Sequence, residues 1–403
     1  MIRELTSDCV HCGFCLPTCP TYVLWSEEMD SPRGRIHLMD ARLDGTITLN
    51  STVTTHFDRC LGCMACLSSC PSGVRYDRLI ESTRAAVEKE YERPLTDRLV
   101  RGLLFRVLPY PGRMKAALRL APLGRHVPMP RRFRPLVEIA PRWRGKSEVP
   151  VLTHAAGVRR ARVGLLTGCV QSAVFPDVNA ATARVLAADG FDVVAPPQGC
   201  CGALSVHAGR LEEGKAFARK LIGAFEDVDL VVVNSSGCGS HLKELGWLLG
   251  DETFSVKVRD VGELLADTTP RAARHPLPMT VALQDSCHLR HAQRLPLSSI
   301  ASLARIPALE VIEPAEQDLC CGSAGIYNVV QAEAARDLGD RKARHVLATG
   351  AQVYASANPG CLVQVSQALH RVKQPLPAVH PIELVDASIR NAGAARLLVQ
   401  ARR

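Results

Sequence analysis

Two cysteine runs constrain this chain more than anything else in it. Residues 9–20 read CVHCGFCLPTCP and residues 60–71 read CLGCMACLSSCP. Each is C-x2-C-x2-C-x3-C-P, with Cys9, Cys12, Cys15, Cys19 and Pro20 in the first and Cys60, Cys63, Cys66, Cys70 and Pro71 in the second. Three thiolates spaced by two residues wrap three irons of one [4Fe–4S] cube; the fourth lies too far along the chain and reaches the other cube. The spacing therefore assigns Cys9, Cys12, Cys15 and Cys70 to a first cluster and Cys60, Cys63, Cys66 and Cys19 to a second. The prolines end each run and free its fourth cysteine to point away. Zinc knuckles and a disulfide framework are the competing readings. Structural zinc takes two C-x2-C pairs or a Cys/His mixture, so a four-cysteine run ending in proline, occurring twice, fits clusters better.

The 403 residues suggest two or three domains, and 47% apolar content allows a sizeable core. Sixteen cysteines fit a reducing cytosol better than an oxidising compartment. Met1 to Asp8 is polar, without the basic-then-apolar pattern of a leader, and no apolar run reaches the length of a transmembrane helix. A cytoplasmic protein is expected. Between the runs, Ile36, Leu38, Met39 and Leu43 follow helical spacing over 35–45, with Gly45 as the stop. The piece SPRGRI, 31–36, sets Arg33 and Arg35 near the clusters in sequence; cations there would raise a cube's potential, or serve as ordinary surface residues. Gly13 and Gly62 let backbone N–H groups approach the sulfurs. Residues 76–92 form an amphipathic helix with Leu79, Ile80, Ala86 and Val87 on its apolar face. The expected first domain is therefore residues 1–92, mainly helical, with two [4Fe–4S] clusters.

Residues 93–150 change character. Fourteen Lys and Arg fall there against few acids, so this segment alone accounts for the chain's net charge of +9. Leu99, Leu103, Leu104, Val107 and Leu108 make an apolar stripe between arginines, and repeated prolines forbid one long helix. A basic Pro-rich connector of this kind docks on anionic lipid, docks on an acidic partner, or wraps its own protein. Nucleic acid is not expected, since aromatics are sparse and no DNA-binding motif is present.

From residue 151 short apolar runs alternate with helical stretches. Strands are expected at 161–168, 191–196 and 229–237, with helices at 177–190 and 211–225. The order then recurs, with strands at 279–286, 308–314 and 351–360 and a helix at 332–350. Alternation of this kind predicts a parallel sheet. The remaining cysteines mark a duplication: Cys169, Cys200, Cys201 and Cys238, then Cys287, Cys320, Cys321 and Cys361, offset by 118, 120 and 123 residues. The expected repeats are 151–268 and 269–403. Each set lies at or beyond the carboxyl end of a strand, where open α/β sheets place ligands.

The texts QGCCGAL, 198–204, and LCCGSAGIYN, 319–328, resemble the cysteine-rich CCG domains of heterodisulfide reductase. The glycine after each pair relieves the strain of adjacent cysteines on one centre. The resemblance implies an unusual, non-cubane iron–sulfur cluster at one or both sites. The heterodisulfide-reductase motif ends in C-x-x-C, whereas only Cys238 and Cys361 stand at those ends here. An ordinary four-ligand cluster, zinc, or buried cysteines used for packing stay open. The fold class is thus α/β: an N-terminal, mainly helical, two-cluster ferredoxin-like domain and duplicated parallel-sheet CCG repeats.

Over nearly the whole chain the finer text resembles the iron–sulfur subunit of glycolate oxidase, a bacterial glycolate dehydrogenase. The matching pieces are CVHCGFCLPTCPTY, SPRGRI, GCVQ (168–171), QGCCGAL, GCGSHLKE (237–244), CHLRHAQ (287–293), CCGSAGIYN, NPGC (358–361) and HPIEL (380–384). Lactate-utilisation iron–sulfur proteins and the anaerobic glycerol-3-phosphate dehydrogenase small subunit share the layout. The resemblance implies an FAD-containing partner that oxidises glycolate to glyoxylate, with this chain passing electrons toward an acceptor such as membrane quinone at the inner face of the membrane. The residues agree in part. No G-x-G-x-x-G follows a strand, so no flavin or NAD site is expected, and no catalytic triad or paired carboxylates stand out. Hydride chemistry belongs to another subunit, and catalytic residues in this chain are unknown. His288 and His291 are candidate proton donors or ligands, or packing residues. Two alternatives compete: a heterodisulfide-reductase-like enzyme with catalytic CCG sites, and a zinc scaffold.

Overall fold

The computed structural model describes residues 2–124, 132–141, 145, 147–395 and 398. Arg125, Arg131, Arg142, Arg144 and Lys146 of the basic segment lie outside the described residues.

The N-terminal part is helical. Pro32–Leu43 and Tyr76–Glu90 are the two helices that the apolar spacing predicts. Ser31 caps the first by accepting from the Gly34 N–H at 3.0 Å. A third helix, Ser51–Arg59, escaped the periodicity reading, although Asn50 caps it by accepting from the Val53 N–H at 3.0 Å. Ile36, Met39, Phe57, Leu79 and Ile80 form one apolar core, and Cys60 and Cys66 are packed into it.

The basic segment forms helices Leu95–Val107, Pro111–Gly124 and Arg134–Glu138. Its prolines punctuate these helices: Pro94 precedes the first, Pro111 opens the second and Pro135 stands at the start of the third. The expected apolar stripe divides. Val100, Leu104 and Phe105 are buried, whereas Leu99 and Leu103 face out.

Nine strands, β1 Leu152–Thr153, β2 Ala161–Leu166, β3 Phe191–Val194, β4 Leu230–Val233, β5 Val258–Asp260, β6 Met279–Gln284, β7 Leu309–Ile312, β8 Val353–Ser356 and β9 Ala378–Val379, occur among the described residues. They form a sheet of order β1-β3-β2-β4-β5 and one of order β7-β6-β8-β9. Only β1 runs antiparallel. The parallel order of the first sheet recurs in the second. Val163 of β2 pairs with Val193 and Leu230, as Val281 of β6 pairs with Val311 and Val353. Strands such as LVVV, with three fully buried valines, need both faces covered. Helices Pro176–Ala188 and Pro381–Ile389 pack together, and one apolar core runs through both repeats, from Val163 and Val193 to Val281 and Val353. Arg184 on the first helix donates to both carboxylate oxygens of Asp386 on the second, at 2.9 and 2.8 Å.

Candidate metal centres

Each cysteine run wraps round on itself, and the two runs exchange their last member. Cys9, Cys12 and Cys15 line one cavity together with Cys70 from the second run. Cys60, Cys63 and Cys66 line another together with Cys19 from the first. Cys66 stands on the wall between and lines both. The outer cavity is the more exposed, with Cys12 at the surface; Cys19, Cys60, Cys63 and Cys66 are buried. The donors suit iron and sulfide: soft thiols converge, and the Gly62 N–H points at Cys60 Sγ at 3.4 Å, with the Tyr76 hydroxyl at 3.7 Å.

Positive charge is built into both walls. Arg33 lines the outer cavity, donating to the His11 carbonyl at 3.0 Å and to Glu28 Oε1 at 2.7 Å. Arg35 is 1% exposed at the inner cavity and donates to the His56 carbonyl at 2.6 Å and to Thr21 Oγ1 at 3.1 Å. Burial works against the Arg35 charge, but Cys60, Tyr76, Cys19 and Asp30 more than offset it. Burial likewise raises the Cys60 thiol, yet Arg35, Arg84 and the Gly62 N–H bring it below its ordinary value.

The two CCG sets repeat one construction. In the first, Cys169 Sγ and Cys200 Sγ are 3.5 Å apart, and the thiols of Cys201 and Cys238 are in contact. In the second, Cys287 Sγ and Cys320 Sγ are 3.9 Å apart, and Cys321 Sγ and Cys361 Sγ 3.4 Å. The glycine after each pair is required twice over. Gly202 has φ +96°, and a Cβ there would lie 2.5 Å from the Gly214 carbonyl oxygen; Gly322 has φ +88°, and a Cβ would lie 2.6 Å from the Ala335 carbonyl oxygen. Thiols of Cys169 and Cys201 donate toward Cys200 and, with the Gly202 N–H, hold it well below the ordinary thiol range. Among the described residues no three cysteines close on a single metal-ion position; the thiols of each set touch in sequence, soft donors of the kind that iron–sulfur centres take.

These centres adjoin one another. Cys63 and Cys320 belong to one packed cluster with Leu61, Leu319 and Tyr327. Ser286 and Ser236, beside the second and first sets, are hydrogen-bonded at 2.5 Å, and the Ser235 hydroxyl lies 3.4 Å from Asn358 Oδ1. The two sequence-predicted histidines fasten the joints. His288 has Ser240 Oγ at 2.6 Å on Nδ1 and the Gly62 carbonyl at 3.1 Å on Nε2. His291 has Ser68 Oγ at 2.6 Å and the Asp318 carbonyl at 3.1 Å. Both ring nitrogens of each are engaged, so the packing reading describes them. Three residues that motif reading passed over also stand at the centres: His207, with Nδ1 2.7 Å from Glu81 Oε1; Gln171; and Lys342, 2% exposed beside the second set. Only Gln171 had a signal, as the last residue of GCVQ.

A cavity of about 670 Å³ opens beside the first set. Cys169, Cys200, Cys201 and Cys238 are on its wall, with Cys63 and Cys287. The rest is largely apolar and is shared between the basic segment, with Leu104, Met114, Leu118 and Leu136, and the second repeat, with Ile326, Val329 and Val363.

Fold and sites together define an iron–sulfur protein in which a helical dicluster module adjoins two cysteine-rich α/β repeats. Models of protein families agree: residues 5–74 match a 4Fe-4S dicluster domain, and 163–243 and 281–366 each match the CCG cysteine-rich domain. The "Probable glycolate oxidase iron-sulfur subunit" of Bacillus subtilis is 36% identical over 96% of this chain and 94% of its own. The "Glycolate oxidase iron-sulfur subunit" of Escherichia coli is 36% identical over 91% and 92%. "Lactate utilization protein A" of an Exiguobacterium is 26% identical over 57% of this chain and 99% of its own. A crystal structure of a hypothetical protein from Helicobacter pylori superposes with TM-score 0.50 at 10% identity, over 91% of this chain and 69% of that one, a likeness of fold alone. The chain belongs to the family of glycolate oxidase iron–sulfur subunits. Among the described residues no helix is long and apolar enough to cross a membrane.

Proposed function

We propose that this chain is the electron-carrying subunit of a flavin-dependent glycolate dehydrogenase, receiving electrons from an FAD-containing partner and delivering them to a quinone. A bound iron–sulfur cluster supplies the chemistry, accepting and releasing one electron at a time. Cys9, Cys12, Cys15 and Cys70 hold one [4Fe–4S] cluster; Cys60, Cys63, Cys66 and Cys19 hold the second. Cys169, Cys200, Cys201 and Cys238, and Cys287, Cys320, Cys321 and Cys361, hold a further centre each. The observation that carries this reading is the unbroken series of thiol sets, joined where Cys63 packs with Cys320. Isolated structural sites have no need to adjoin; a relay does. Arg33 and Arg35 make their cavities favourable for added negative charge, which raises the tendency to accept an electron.

The unit boundaries follow the same logic: 1–92 holds the paired clusters, 93–150 packs across both repeats, and 151–268 and 269–403 are the repeats. The protein works at the cytoplasmic face of the membrane. Leu95, Leu99, Leu103, Leu120 and Leu123 are exposed beside Arg98, Arg106 and Arg113, an apolar and basic face suited to anionic lipid. The lactate-utilization relative makes lactate the second candidate substrate.

Iron, zinc and acid-labile sulfide per chain, measured on anaerobically purified protein, test the reading. Iron clearly above about eight per chain, with matching sulfide, is expected, since each cube holds four. Zinc without sulfide would refute it.

A further inference from the structure

The centre proposed on Cys169, Cys200, Cys201 and Cys238 would take one end of the cavity of about 670 Å³; the leucine-lined remainder has no task in the reading above, and its lining is that of a small-molecule site. Two observations say what it takes. Gln171, on helix Cys169–Val174, lines the cavity and is 1% exposed. Among the described residues neither its amide nitrogen nor its amide oxygen has a hydrogen-bond partner. Burying such a group unpaired is unfavourable, so its place suits a ligand that pairs with it. Secondly, the cavity joins the cysteines to the protein surface: Leu103 and Leu120 line it while remaining 47% and 63% exposed.

We propose that this cavity binds the electron acceptor, a quinone carried on an apolar chain. The Gln171 amide N–H donates to one ring carbonyl beside Cys169 and Cys200, and the tail lies among the leucines of the connector helices. The proposal rests on the electron-transfer reading and gives its acceptor a place. Reduction converts two ring carbonyls to hydroxyls. It takes two electrons, which hydroxy-acid oxidation supplies in that reading, and two protons. His207 also lines the cavity; its Nε2 is unpartnered among the described residues and its Nδ1 meets Glu81. It also lines a second, polar cavity with Glu81, Arg75 and Arg78, so His207 is placed to pass those protons inward.

The test is labelling of the full, anaerobically purified chain with a photoreactive azidobenzoquinone bearing a decyl tail. The expected labels fall in peptides covering 103–121 and 168–174, and are competed by unreactive decylquinone but not by decanoate. Gln171→Leu should weaken decylquinone binding about tenfold, which corresponds to about 1.4 kcal/mol. Ala121→Trp, at the mouth, should weaken it too, with iron per chain unchanged in both variants. Labels elsewhere, equal competition by decanoate, or unaltered affinity in both variants would overturn the site. Binding is read without partner or substrate, so a failure of the hydroxy-acid reading leaves this result standing. A complex that reduces a dye with glycolate but is not labelled here overturns this site alone.

Discussion

The two cysteine-rich repeats share a strand order, a Cys-Cys-Gly turn and four thiols, but they meet different neighbours. Cys320 of the second packs with Cys63 of the dicluster module, and Lys342 is buried beside the set. All four cysteines of the first line a large cavity roofed by the basic segment. Burial disfavours the Lys342 ammonium, while Cys321, Cys320 and Cys361 support it. In the first set the stabilised thiolate is Cys200, held by hydrogen bonds from neighbouring thiols and the Gly202 N–H. Duplication supplied two equal scaffolds; what packs against each makes their surroundings unequal.

The largest effect should come from cutting the join. Cys63→Ser is expected to remove about four iron per chain and to slow electron delivery from a flavin partner by about a hundredfold or more, roughly 2.7 kcal/mol of barrier. Dye-linked turnover and metal analysis check both. The paired variants Cys200→Ser/Cys201→Ser and Cys320→Ser/Cys321→Ser should each lower iron content while the dicluster spectrum persists. The first should still let electrons reach the second set; the second should stop them at the dicluster module. Equal behaviour of the two variants in stepwise reduction would break the comparison.

Gly202→Ala and Gly322→Ala should each destabilise by about 2–4 kcal/mol, from left-handed backbone and a carbonyl in contact. Similar losses in denaturant melts would show that the turns are equivalent where the surroundings are not. Lys342→Met should lower the reduction potential of the second set and leave the first unchanged, a difference that redox titration would resolve. Arg184→Ala, removing a half-exposed partner of Asp386, should cost no more than about 1 kcal/mol and leave metal content unaltered.

β4 was legible because its run is apolar on both faces, whereas β3 and β7 carry Asp192 and Glu310 and were legible from short apolar runs alone. β1, β5 and β9, of two or three residues, carry too little pattern to read. The helix Ser51–Arg59 hid because threonines and a histidine dilute its apolar face. In the basic segment, proline frequency argued for a connector. Where each proline falls matters more: at a helix start it costs almost nothing, and among the described residues of the segment only Pro122 lies inside a helix.

The cysteine runs, by spacing alone, set the ligand sets proposed for the two clusters, because a ligand loop of two residues permits little else. Apolar alternation and the offsets near 120 residues determined the duplicated sheets. Tertiary structure decided the rest: that His288 and His291 fasten domains together, that Arg35 is buried at a centre, and that Leu103, Leu104, Val107 and Leu108 of the apolar stripe line a cavity. The histidine roles depend on residues more than a hundred positions away, as with His288 and Gly62 or His291 and Ser68, and no local pattern carries information across that distance.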